Sequence, residues 1–261
     1  MAEFIVLAFL AAALCAYLVA GGADFGAGIL ELFARGESRK RLRGAGEHAL
    51  APVWEANHIW IIVALVIVFV AFPKVHVLLT TKLHVPLVLL LVGIVLRGTA
   101  FTFRYYDVER DPDSDRLWTL CFQGGSLIVP LIFGHLAAAL SRGRIPLHPT
   151  TVWASYFEPW LGLFPFASGL FTVAICAWLA ATFLVGEQAR PQRPAWIALA
   201  RRWAVFVFIS GGLVSLSAWF EGIEAFHRLL DHPGALAATA LATLGLTATW
   251  RSLEGDNPWA T

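Results

Sequence analysis

The sequence predicts an all-α fold: a polytopic transmembrane helical bundle of about seven spans, forming a single membrane domain over residues 1–261. Three observations predict it. Composition is the first: 58% of the residues are hydrophobic and 14% charged, against roughly 45–50% and about 25% in soluble domains. Second, apolar runs such as "IWIIVALVIVFVAF" (59–72) and "VPLVLLLVGIVL" (85–96) recur along the whole chain, and a helix needs about 20 such residues to cross a bilayer. Third, basic residues crowd into alternate loops, as the positive-inside bias requires.

The spans are expected in the following order. The first, at about 4–30, has no basic segment before it and runs straight into "GGADFGAGIL" (21–30), so it reads as a membrane helix and not as a cleaved signal peptide. Others are expected near 56–73, 79–98, 117–140, 160–185, 202–221 and 235–250, the last being short. One set of loops holds Arg35, Arg39, Lys40, Arg41, Arg43, Arg104, Arg110, Arg116, Arg190, Arg193, Arg201, Arg202 and Arg251. The opposite set holds Lys74, Lys82, Arg142, Arg144 and Arg228, with Arg97 left inside a span. Thirteen against five predicts an outward N-terminus and a cytoplasmic C-terminus. Trp118, Trp153, Trp160, Trp203, Trp219 and Trp250 fall near span ends, where an aromatic belt belongs. The net charge of +1 selects no partner, and no nucleic acid is expected. Cys15, Cys121 and Cys176 are too few and scattered for a disulfide framework or a zinc site.

Ionisable side chains inside spans cost roughly 2.5–3.5 kcal/mol each to insert, so each is a functional candidate. Asp24, Glu55 and Arg97 are the three. At about 1.5 Å of rise per residue, Asp24 lies about 16 Å in from Arg35. By the same rise, Glu55 and Arg97 lie about 10 Å in from His48 and Arg104. Three helices therefore bring two carboxylates and a guanidinium to similar depth. Two readings stand side by side: a buried ion-pair cluster in which Arg97 bridges the carboxylates, or a proton-conducting or cofactor-facing pocket. Gly22 and Gly26, spaced as G-x-x-x-G, and Gly28 beside them read as helix-packing residues.

Met1 is the only methionine, and His58, His135 and His227 fall at different depths, so no axial pair is expected within this chain. His135 is expected to bond a carbonyl freed by Pro130. Glu221, Glu224 and His227 in "EGIEAFH" have a spacing that a metal could use, but at a membrane exit a solvated polar end is the default. No metal site and no catalytic residue are expected in this chain.

"GGADFGAGIL", "APVWEANHIWII" (51–62), "AFP" (71–73) and "VLRGTAFTFR" (95–104) follow one another in the order and spacing of subunit II of cytochrome bd-type quinol oxidases. The chain resembles that family most closely over the first 135 residues. Looser likeness continues through "FPFASGLFT" (164–172) and "WFEGIEAF" (219–226). The resemblance implies a haem-free subunit paired with subunit I, which carries b- and d-type haems and oxidises quinol while oxygen is reduced. It implies a place in the prokaryotic cytoplasmic membrane, small accessory subunits in some complexes and a bound quinone in some members. It also implies a proton path from the cytoplasm through Asp24 and Glu55, with Trp54, Asn57 and Trp60 around Glu55 and with Arg97 and Arg104 as charge partners. Thr102 and Thr119 stand where family members carry acids, so hydroxyls would continue the path. The family's final hairpin is expected to be absent. Two other readings are a homologue scaffolding a different membrane haem subunit and a stand-alone proton-coupled transporter, which would place a substrate cavity between inverted repeats.

Overall fold

The computed structural model describes residues 2–106, 112–145, 151–188, 191 and 193–253; the side chains of 47–56 lie outside that description. The described chain is helical almost throughout. Long helices are α1 (Ala2–Phe33), α2 (Gly36–Ala71), α4 (His84–Tyr106), α5 (Pro112–Arg142), α7 (Leu163–Glu187) and α8 (Arg193–Phe220). Shorter ones are α3 (Pro73–Lys82), α6 (Val152–Tyr156), α9 (Glu224–Asp231) and α10 (Pro233–Ser252). α1 sits centrally, packed on α2, α5 and α7, while α4 packs on α5 and α8 on α7.

Among the described residues, five helices are long and apolar enough to cross a bilayer: those over Glu3–Phe33, His84–Arg104, Asp113–Arg142, Leu163–Glu187 and Arg193–Phe220. The pair Asn57–Ala71 and Pro73–Lys82 meets the same measure only when taken together, and it is bent by 113°, the shape of a broken span or a re-entrant loop. The seventh expected span differs. α10 is 20 residues long, but Thr239, Thr243, Thr247 and Thr249 interrupt its apolar run, and it is not among the crossing helices. The expected break between 73 and 79 is instead a helix, α3. Pro73 cannot continue α2, because its ring displaces the backbone one turn back and forces the preceding residue out of helical geometry. Phe72 accordingly takes φ −128° and ψ 57°, and Pro73 starts α3, where a missing N–H costs nothing.

Small residues set the packing distances. A Cβ on Gly26 would stand 2.0 Å from the Cys176 carbonyl, and one on Gly22 would stand 2.7 Å from Leu179. This face of α1 lies directly on α7. Ile29 and Leu30 extend it into an apolar core with Val173, Ala177, Ala180 and Leu184. A Cβ on Gly134 would meet the Ser168 carbonyl at 2.4 Å, so α5 and α7 touch backbone to backbone as well.

The far end of the bundle from Arg35 is closed by charge. Arg142 pairs with Glu221 at 2.7 Å and donates to the Leu161 carbonyl at 3.0 Å. Glu221 also accepts the Phe164 backbone N–H at 2.9 Å, satisfying one of the open donors at the start of α7, where the helix dipole favours an anion. The chain enters α7 through Gly162 at φ +145°, a conformation that favours glycine, with the Arg142 guanidinium 3.1 Å from where a Cβ would be. Glu224 turns instead to Arg228 at 2.5 Å. The three groups "EGIEAFH" might have offered to a metal thus point to separate partners, and no cluster of three ligating side chains occurs among the described residues.

Candidate functional site

The second face of α1 is polar. Tyr17, Gly21, Asp24, Gly28 and Glu31 follow at intervals of four and three, which places them along one side of a 3.6-residue helix. Each meets a group from α2, α4 or α5, and the glycines let those groups in. A Cβ on Gly21 would lie 2.6 Å from the Asn57 amide nitrogen, and one on Gly28 would lie 2.2 Å from the Ser126 hydroxyl.

Asp24 and Arg97 are both 1% exposed. Arg97 Nη2 donates to Asp24 Oδ1 at 2.7 Å and to the Asp24 carbonyl at 3.0 Å, while its Nε donates to Ser126 at 3.1 Å. Its guanidinium also lies over the rings of Phe25 and Phe122, 4.8 Å and 5.0 Å from their centroids. Such cation–π contacts strengthen when water is excluded. Gly125 makes room for it, since a Cβ there would sit 2.8 Å from both Arg97 Cβ and the Gly93 carbonyl.

Two turns along α1, Glu31 forms a second buried pair. Arg104 Nη2 reaches both its carboxylate oxygens, at 3.1 Å and 3.0 Å, and Gln123 Nε2 donates to it at 3.2 Å. Arg104 also lies over Phe122, 4.5 Å from the centroid. One aromatic ring therefore serves both arginines. Arg104, counted among the loop cations by position and expected as a charge partner from the resemblance, is inside the bundle, where Glu31 and Gln123 offer it a carboxylate and an amide. Glu31 itself was not among the expected site residues. Its signal was spacing: seven residues after Asp24, on the same face, one position past the expected end of the first span.

Asp24, Ala27, Glu31, Leu42, Arg43, Gly46, Phe101, Arg104 and Phe122 line a cavity of about 20 Å³. That exceeds the roughly 10–15 Å³ one ordered water needs. At its mouth, Arg43 and Asp115 join α2 to α5 through two bonds of 2.6 Å and 3.0 Å. Inward of the cavity, Asp24 Oδ2, both polar atoms of the Asn57 amide and the Tyr17 hydroxyl are buried without a hydrogen-bond partner.

The other expected residues are placed as follows. Glu55 and Trp54 have side chains outside the described residues. Trp60 is 43% exposed. Thr102 is exposed, and its hydroxyl donates to the Gly98 carbonyl one turn back at 3.1 Å. Thr119 stands one turn before Gln123 on α5, with its hydroxyl oxygen buried and unpartnered. Arg97 takes Asp24 as its carboxylate and Arg104 takes Glu31. His135 bonds the Leu131 carbonyl at 2.7 Å, not the Ser126 carbonyl that Pro130 leaves without its helical donor; a ring nitrogen reaches back one turn along its own helix, not two. Trp160 and Phe166 enclose that ring at 6.1 Å and 6.4 Å.

These features can be set beside known proteins. The family model for cytochrome bd terminal oxidase subunit II matches residues 2–261. Over 156 residues the chain is 26% identical to the cytochrome bd ubiquinol oxidase subunit 2 of Bacillus subtilis, covering 59% of this chain and 44% of that one. Over 182 residues it is 25% identical to the cytochrome bd-I ubiquinol oxidase subunit 2 of Escherichia coli K12, covering 67% and 47% respectively. The chain thus spans about half the length of these relatives. A bd oxidase structure from Geobacillus thermodenitrificans superposes with a TM-score of 0.79 at 20% identity, over 98% of this chain and 77% of the other, which shows a shared fold. With the family model running the length of the bundle, the chain belongs to the cytochrome bd terminal oxidase subunit II family.

Proposed function

We propose that this chain is the haem-free subunit of a membrane quinol:oxygen oxidoreductase. It pairs with a haem-bearing subunit I and brings protons from the cytoplasm toward the site of oxygen reduction. The observation that carries this reading is the Asp24 carboxylate. It is buried beside Arg97, but one of its oxygens is left without a partner. Pairing alone would favour full satisfaction of a buried carboxylate. A group that must exchange a proton needs an open oxygen.

With the α1–α2 connection at Arg35 and the start of α2 that carries Arg43 placed in the cytoplasm, Thr119 and Gln123 stand nearest that side, and Asp24 lies further in. Glu55 is assigned to the same path on the strength of its motif. Thr102 is left out, since its hydroxyl is committed to Gly98 on the exposed face. No step is routed through a haem in this chain: His135 is tied to Leu131 inside an aromatic cage, and His227 packs on Trp219 at 5.3 Å. The b- and d-type haems are accordingly assigned to the partner, which oxidises quinol.

Asp24→Asn and Glu55→Gln in the assembled complex test the path. Each should slow oxygen consumption while haem content stays at the wild-type level. Wild-type turnover in both variants would remove the proton-path claim.

A further inference from the structure

We infer that the Arg251 end of α10, together with Arg202 of α8, is a binding site for an anionic phospholipid of the cytoplasmic leaflet. α10 stands apart from the bundle: none of its residues from Pro233 to Ser252 is buried. It is held at its ends. It starts directly after α9, and just past its last turn Leu253 is sunk in the apolar core with Leu42, Leu184, Trp196 and Ala200. Near that end the Arg201 guanidinium lies over the Trp250 ring, 5.4 Å from the centroid. α10 therefore runs antiparallel to α8, and its end is level with the start of α8, on the side of the bundle that carries Arg35.

The handedness of the helices brings two cations together there. Successive residues of an α-helix turn by about 100°. Arg201 and Trp250 face each other across antiparallel helices, so the residue that follows each turns to the same side. Those residues are Arg202 and Arg251. Both are exposed, and neither side chain has an ion pair or hydrogen bond among the described residues. Leu253 turns the opposite way, into the core that α7 builds, so the two arginines lie on the side of the α8–α10 pair away from α7.

Beside Arg251 is an open cavity of about 560 Å³, lined by Leu244, Thr247, Ala248, Arg251 and Ser252. That is within the roughly 300–1,000 Å³ of small-molecule sites. The lining residues recur on one face of α10. Thr247 donates to the Leu244 carbonyl at 2.8 Å and Ser252 to the Thr249 carbonyl at 3.0 Å. With both hydroxyl hydrogens used inside the helix, the wall offers chiefly methyl and methylene groups below a cationic lip. A soluble anion would gain nothing from that wall, and a neutral lipid nothing from the arginines. A phospholipid with a net negative headgroup uses both. Its phosphate oxygens accept from the guanidinium groups, and an acyl chain lies along Ala248 and Leu244 toward the bilayer centre. Basic pockets at the cytoplasmic ends of membrane helices take such headgroups, and the anionic lipids of that leaflet supply them.

The test uses the full chain in whatever assembly leaves its native membranes in mild detergent. Native mass spectrometry follows occupancy as phosphatidylglycerol is added, and the difference between wild type and variant isolates this site from others. An arginine at an anionic lipid surface is worth about fivefold in affinity. Arg202→Gln and Arg251→Gln should therefore each raise the half-occupancy concentration about fivefold, and the double variant about 25-fold. Phosphatidylcholine should bind wild type and double variant alike, and inorganic phosphate should not displace phosphatidylglycerol. Arg116→Gln removes another exposed arginine at the same end of the bundle, one that does not line the cavity, and should leave the midpoint unchanged. A wild-type midpoint in the double variant overturns the inference. So does displacement by phosphate, or an equal loss in Arg116→Gln, which would mean general charge attraction. The readout is lipid and not oxygen, so failure here leaves the proposed function standing.

Discussion

Replacing Arg97 with methionine removes a cation and keeps an unbranched apolar stem of similar reach. Four things are lost: the 2.7 Å bond to Asp24 Oδ1, the bond to its carbonyl, the bond to Ser126, and the guanidinium over Phe25 and Phe122. The dominant cost is the Asp24 carboxylate left buried at 1% exposure without a counter-charge. Breaking one side of a buried pair costs roughly 3–5 kcal/mol, whereas replacing both partners by neutral groups is often near neutral. The Asp24→Asn, Arg97→Met double variant should therefore be more stable than Arg97→Met alone by about 2 kcal/mol or more, a coupling well above the roughly 0.5 kcal/mol scatter of independent sites. The assay is the midpoint of heat-induced aggregation of the complex in mild detergent, with assembled yield as a second reading. A wild-type midpoint in Arg97→Met, or a double variant no better than the single one, would refute the assignment of Arg97 as the counter-ion of Asp24.

Two further substitutions test the packing. Gly26→Ala would place a Cβ 2.0 Å from the Cys176 carbonyl and should cost about 1–3 kcal/mol as α1 and α7 part, lowering the aggregation midpoint; Gly124→Ala meets nothing within 4 Å and should match or slightly exceed wild type. Glu221→Gln keeps an acceptor for the Phe164 N–H but loses the charge opposite Arg142, and should cost about 1–2 kcal/mol in the same assay.

The helical architecture was legible because apolar runs and basic loops speak directly about spans. Asp24 and Arg97 were legible for the same reason: charge is conspicuous against lipid-soluble sequence. Glu31 was not, because it falls where a span meets its loop and a charge at that boundary reads as solvated; Arg104, at the same kind of boundary, was counted with the loop cations by position and named a charge partner only through the family motif. Their burial is a tertiary matter: α5 brings Gln123 and Phe122 over a position that hydropathy alone leaves at the surface. α3 escaped in a similar way. Pro73 announces the break, but ten residues with little apolar bias carry no sign of whether a loop or a short helix follows. The glycines of "GGADFGAGIL" were read as packing residues of one kind. The structure divides them, with Gly22 and Gly26 on α7 and Gly21 and Gly28 admitting polar side chains; periodicity shows that they differ in face but not what each face meets.

Whether this chain serves an oxidase through a haem-bearing partner is decided by purifying it from its native membranes in mild detergent, then recording a reduced-minus-oxidised absorption spectrum and quinol-dependent oxygen consumption. A larger membrane subunit should co-purify, with b- and d-type haem bands and oxygen uptake driven by quinol. A colourless chain that purifies alone and consumes no oxygen would contradict it, and would return the Asp24, Glu31, Arg97 and Arg104 cluster to a transporter reading.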